Sequence, residues 1–267
     1  MMQDAELQPG GDAAGPIHPG AVPSRRGDVD DLLIQQLGLE GRRDSVVAKI
    51  ALTLAREIIE GRAPASGDLN SLDLAKRFES SRTPPREALM ILMNNGLVDI
   101  PPRRRPRVAT LTRGVTREIY LLRAELHAVA ARRIAENPVD LSAIETALDA
   151  MRTTAAAGNL SDYFWANVHF HENVTTATGD TTLKRALDGL GLRVLRLRHL
   201  SMSQPGRIQR SFSDHDRMMI AVREGDAILA AAMNRSIVMS ALGVLLAILP
   251  DSDDSAASMD EPLSDTS

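Results

Sequence analysis

The sequence predicts a mainly α protein in two parts, an N-terminal winged helix-turn-helix domain and a C-terminal all-α helical bundle. Three observations carry this prediction. Apolar residues recur at helical 3 and 4 spacings through most of the 267 residues. Aromatics make up 3% of the chain against 43% hydrophobic residues, so the core must come from Leu, Ile, Val, Ala and Met, a palette that favours helices. Two short β-forming segments flank an arginine-rich loop after three helical segments.

Taken in order, residues 1–40 form an expected flexible N-terminal arm, the first 28 being rich in Gly, Pro, Ala and Asp without periodicity. Residues 41–112 form the winged domain. Its first helix starts at a capping Asp44, carries Val46, Val47, Ile50, Leu54 and Ile58 on one face, and stops near Glu60 before Gly61. Pro64 to Gly67 make a turn, and Asn70 or Ser71 caps a short helix bearing Leu72, Leu74, Ala75 and Phe78. A tight turn at Ser80 leads into a third helix that ends near Asn95 and Gly96. Leu97 to Ile100 and Val108 to Leu111 read as strands on either side of the basic loop.

From residue 113 to 249 the pattern is helical. Helices are expected near 115–136, 140–157, 161–177, 181–202, 206–224 and 226–248, separated by Asn137-Pro138, Gly158-Asn159, Gly179-Asp180, Pro205-Gly206 and Gly225. Residues 250–267 form an expected acidic, disordered tail.

Charge narrows the function classes. The net charge is −4, yet residues 41–113 carry 14 basic and 8 acidic groups, a net of +6. Residues 1–40 carry 2 basic and 7 acidic groups, and residues 251–267 carry no basic group and 6 acidic ones. A basic module between acidic or balanced neighbours is the footprint of a phosphate-binding domain. The chain has no cysteine, which excludes disulfides and thiolate metal sites. The N-terminus lacks the apolar segment of a signal peptide, and the apolar run Ile237 to Leu249 is too short to span a bilayer, so a soluble cytoplasmic protein without a membrane partner is expected. No His-Glu-x-x-His motif, nucleophile elbow or phosphate-cradling glycine loop is present.

The third helix opens Ser81-Arg-Thr-Pro-Pro-Arg-Glu-Ala-Leu89. Arg82 and Arg86 are four apart and share a face, whereas Leu89, Leu92 and Met93 line the other. Each arginine can fork onto guanine O6 and N7, while Ser81 and Thr83 suit phosphate oxygens at a helix start. Pro84 and Pro85 are tolerated in the first turn, where amides have no intrahelical partner. Arg103, Arg104, Arg105 and Arg107 in the following loop attract backbone phosphates.

These residues, with Gly96-Leu-Val98, resemble the GntR family of bacterial transcription regulators. Arg123, Phe170-His171, Thr178-Gly-Asp180, His215, Ala221 and Gly225-Asp226 are similar to its FadR-type subgroup, which has an all-helical ligand-binding (FCD) domain. The resemblance covers about residues 44–248. It implies a homodimer that reads a palindromic double-stranded DNA operator and is more often a repressor. It also implies a small effector, with a carboxylate as the expected class, bound in the helical domain. Members of the family usually carry an Arg-Gly pair in the wing, which this chain lacks. Many members hold a divalent metal such as zinc or nickel with one Asp and three His, and the matching positions here are Asn167, His171, His215 and Ser236. Half of that set is changed. Either Asn167, His171, His215 and waters hold a metal, or these residues are direct partners of the effector, together with Arg123 as carboxylate anchor and His127 one turn on. The reading from a different class is a metal-dependent enzyme using His171 and His215.

Overall fold

The computed structural model describes residues 26–63 and 68–251. The chain opens with helix α1 (Arg26–Leu37) and a 3-10 turn at Glu40–Arg42. This corrects the expectation of a flexible arm to residue 40. Val29, Leu33, Ile34 and Leu37 are buried at one-turn and two-turn spacings, and Leu39 follows them into the core. The earlier part of the expected arm, the turn at 64–67 and the acidic tail beyond 251 lie outside the described residues.

Helices α2 (Val46–Ile59), α3 (Ser71–Arg77) and α4 (Thr83–Asn94) form the helix-turn-helix unit. Ser45 rather than Asp44 caps α2, its side chain accepting from the Ala48 amide at 3.1 Å. Asn70 caps α3 by accepting from the Leu72 amide. Val47, Ile50, Leu54 and Ile58 of α2 meet Leu74 of α3 and Leu89 and Leu92 of α4 in the shared core. Strands β1 (Val98–Asp99) and β2 (Arg107–Val108) pair antiparallel, Val98 opposite Val108, and are shorter than the sequence expectation.

The helical domain contains α5 (Arg113–Glu136), α6 (Ser142–Ala157), α7 (Leu160–Ala177), α8 (Thr181–Asp188), α9 (Arg193–Met202), α10 (Arg207–Arg223) and α11 (Ala227–Ile248). The single helix expected over 181–202 is therefore two. The break falls at Gly189-Leu190-Gly191, where Gly191 takes a φ of +72° that side-chain-bearing residues resist. Helix α11 has 22 residues with a mean hydropathy of 1.7 in its most apolar stretch, long and apolar enough to cross a membrane by length and composition. That corrects the shorter apolar run expected from the sequence. It packs along α5 and α10, with Ala230, Val238 and Leu245 buried.

Candidate functional site

Two regions collect the sequence-derived candidates. The first is the N-terminal end of α4. Arg82 precedes the helix, Thr83 opens it, and the two prolines follow inside the first turn. Ser81, Arg82, Thr83 and Arg86 are all exposed, while Pro85, Ala88, Leu89 and Leu92 are buried. Glu87 is the sole acid on α4, and Arg42 neutralises it through a 2.9 Å ion pair. Arg82 and Arg86 have no ion pair among the described residues.

The loop between β1 and β2 exposes Arg103, Arg104 and Arg105. Arg103 takes a φ of +60° and so supplies the left-handed turn that a glycine would otherwise provide. Arg107 is different: it sits half-buried in β2, opposite Asp99 and bridged to Asp68.

The second region is a cavity in the helical domain, built by α5, α7, α9 and α10. It has two lobes, of about 70 and 30 Å³, which share Arg123, His171 and Arg198. Helix α1 contributes Leu32 and Gln36 to the larger lobe, where Gln36 Nε2 donates to Asp188 Oδ1 at 3.0 Å. Arg123, His127, Asn167, His171 and His215 come together here, all buried. Asn167 Nδ2 lies 3.2 Å from His215 Nε2, which is 3.1 Å from His171 Nε2. His127 stacks at a tilt on His171, ring centroids 4.6 Å apart. His215 Nδ1 is 2.6 Å from the Ser211 carbonyl, an acceptor, so Nδ1 is assigned the proton and Nε2 the lone pair.

Ser236 is the exception. It is exposed on α11, while its neighbours Ile237 and Val238 line the smaller lobe. One residue is about 100° around a helix, so a shift of one position turns a side chain out of the cavity.

The sequence reading missed Arg198. It is buried, and its Nη2 donates to the Asn167 carbonyl oxygen at 2.9 Å and also to Asn167 Oδ1. Arg123 lies over the Tyr120 ring, 5.3 Å from its centroid. Among the described residues no carboxylate lies within ion-pair distance of either guanidinium. Burial, and then the charge of Arg123, lowers Arg198 to about 9, so it remains charged at neutral pH. Burial lowers His215 to about 4 and pushes His127 and His171 well below the usual imidazole range. The cavity thus holds two cations without an ion-pair partner among neutral imidazoles, with Glu172 and Asp188 on the wall of the larger lobe and Glu172 acting on Arg198 through its charge alone. His127 Nδ1, His171 Nδ1 and Ser201 Oγ are buried there without partners.

The metal-holding reading does not fit this donor set. Among the described residues no three His, Asp or Glu groups are placed to hold an ion. Asn167 Oδ1 already accepts from Arg198, and the Nε2 atoms of His171 and His215 face one another.

Comparison with known proteins defines the class. Residues 118–239 match the FCD domain. A probable D-xylose utilization operon transcriptional repressor of Paenarthrobacter nicotinovorans is 26% identical over 189 residues, 70% of this chain and 83% of that protein. The transcriptional repressor RspR of Escherichia coli is 26% identical over 179 residues, 66% of this chain and 78% of that one. Among solved structures, a putative GntR regulator from Rhodococcus sp. RHA1 superposes with a TM-score of 0.66 at 19% identity, covering 76% of this chain and 98% of that one. E. coli McbR/YncC superposes at 0.63 with 18% identity, covering 75% and 97%. The two sequence relatives are named as transcriptional repressors, and the Rhodococcus protein as a putative GntR transcriptional regulator. The FCD match and these relatives make the chain similar to FadR-type regulators of the GntR family.

Proposed function

We propose that the chain is a cytoplasmic, homodimeric, operator-binding repressor whose hold on DNA changes when a small carboxylate enters the helical domain. Arg82 and Arg86 read base edges in the major groove, Ser81 and Thr83 hold phosphates, and Arg103, Arg104 and Arg105 add backbone attraction. Arg107, tied into β2, contributes less than the other three. Arg123 anchors the effector, with His127, Asn167, His171 and His215 around it. Ser236, turned to the surface, has no part in the cavity.

The observation that carries this reading is the placement of α9. Its Arg198 lines the cavity, while Arg193 Nε donates to the Gly96 carbonyl at 3.3 Å, directly after the reading helix. Arg196 bonds the Ala109 carbonyl beyond β2. One helix therefore touches both the effector cavity and the two ends of the wing. A ligand that prefers one placement of α9 shifts the population of DNA-module orientations by its differential affinity for them.

Dimerisation accords with a stripe on α5. Val115, Leu122 and Val129 recur every seven residues and are 41%, 52% and 41% exposed, an apolar seam suited to a second copy. Two-fold pairing of reading helices matches palindromic half-sites.

The test is a gel shift of the purified protein on the DNA upstream of its own gene. Tight, salt-sensitive binding that survives excess unrelated DNA supports the proposal. Binding no stronger than to unrelated DNA overturns it.

A further inference from the structure

At Asn167, His171 and His215, the atoms that a metal ion would need are engaged by other side chains of the protein. The Arg198 guanidinium occupies Asn167 Oδ1, the one oxygen that this side chain can offer a cation. The His215 Nε2 lone pair faces both Asn167 Nδ2 and His171 Nε2, so it too is engaged. The neighbourhood already carries the fixed charges of Arg123 and Arg198, and each disfavours a further dication in a low-dielectric site.

We infer that Arg198 has replaced the metal, and that it and Arg123 together bind the carboxylate of a short organic acid directly, without any ion. The inference rests on the reading of this cavity as the effector site and adds how that site works. Two buried guanidinium groups without a carboxylate partner are costly to hold, and an incoming carboxylate relieves that cost. Arg offers a planar fork of donors that matches both carboxylate oxygens, which a point-charge metal does not. The unpartnered Ser201 Oγ and His171 Nδ1 supply further polar groups for a hydroxyl or a second oxygen of the ligand. Lobes of about 70 and 30 Å³ admit a molecule of only a few heavy atoms, which points to an acid of about two to four carbons.

The experiment measures thermal shift and calorimetric binding of the full-length protein with acetate, glycolate, lactate, malonate and inorganic phosphate. Each probe is run after chelation and again with added zinc. The expected result is stabilisation by at least one of the four acids, with a Kd that changes less than about twofold between chelated and zinc-supplemented protein. Arg198→Lys keeps a charge but loses the fork, and weakens that acid by about tenfold or more without making it zinc-dependent. Arg198→Ala frees Asn167 Oδ1 and gains zinc affinity over the wild type. A response that needs zinc overturns the inference, as does a shift with phosphate alone or no shift with any acid. A wild-type protein that binds its operator yet needs zinc for the acid keeps the regulatory reading and loses this one. The wild-type measurements decide the matter even if Arg198→Ala does not fold.

Discussion

At the residue scale, the neutral imidazoles make the fold sensitive to acid. In the unfolded chain His127, His171 and His215 titrate near the ordinary value of about 6.5. In the folded chain burial keeps them neutral, His215 down to about 4, with Arg123 and Arg198 adding to the effect for all three. Between those values the unfolded state binds more protons, so stability falls as pH falls from 6.5 towards 4 and receives nothing from these groups above that window. The melting temperature should therefore drop across this range, and His215→Gln should flatten the drop; a wild-type curve flat from pH 7 to 5 contradicts the burial. Arg103 gives a second prediction. Replacing it with Gly should leave stability equal or raise it, by up to about 1 kcal/mol, because a strained φ is relieved. The same change should weaken DNA binding alike on all sequences and lower the salt slope by about one. Urea unfolding and salt-titrated gel shifts measure the two effects. The cavity was partly legible from sequence, since Arg123, Asn167, His171 and His215 stood at positions the family resemblance marks. Arg198 was not, because α9 carries Arg193, Arg196 and Arg198 close together. Spacing alone does not say which of the three faces inward.

At the element scale, α1 ties the helix-turn-helix unit to the helical domain. Asp30 pairs with Arg56 of α2 at 2.6 Å, while Gln36 reaches Asp188 at the end of α8. Leu33 is fully buried between them. Leu33→Ala should cost about 2–5 kcal/mol in urea unfolding, the range for a cavity-forming core truncation; a loss within 0.5 kcal/mol, typical of an exposed position, would show that α1 is not part of the packed core. The Gly- and Pro-rich run before α1 and the acids Asp28, Asp30 and Asp31 within it hid this helix, although Val29, Leu33 and Leu37 recur at helical spacing. The division of α8 from α9 had its signal in Gly189 and Gly191, which helical periodicity on both sides concealed. The helix-turn-helix was the most legible unit. Among the described residues its caps and apolar faces agree except at the cap of α2, where Ser45 lies one residue after the expected Asp44, and at Val46 and Leu72, which were expected on the apolar faces and are 48% and 37% exposed.

At the scale of the whole molecule, α9 joins the C-terminal end of α4 to the charged cavity. Arg193 is half-buried and meets the Gly96 carbonyl, and Gly191 lies where a Cβ would stand 3.2 Å from the Asn95 carbonyl. The two domains thus meet closely where α4 ends. Arg193→Ala should leave carboxylate affinity within about twofold and shrink the effect of the acid on operator affinity, since coupling needs an element that both sites bias. An undiminished effect in that variant would remove α9 from the route. The exposed arginines of α4 are the proposed readers of DNA. The most direct measurement is a competition gel shift on the upstream DNA with Arg82→Ala plus Arg86→Ala, folding being checked by an unchanged melting temperature. Each base contact is worth about 1–3 kcal/mol, so loss of both should cost at least about thirtyfold in operator affinity and leave binding no better than to unrelated DNA. Operator affinity and selectivity equal to those of the wild type would contradict it.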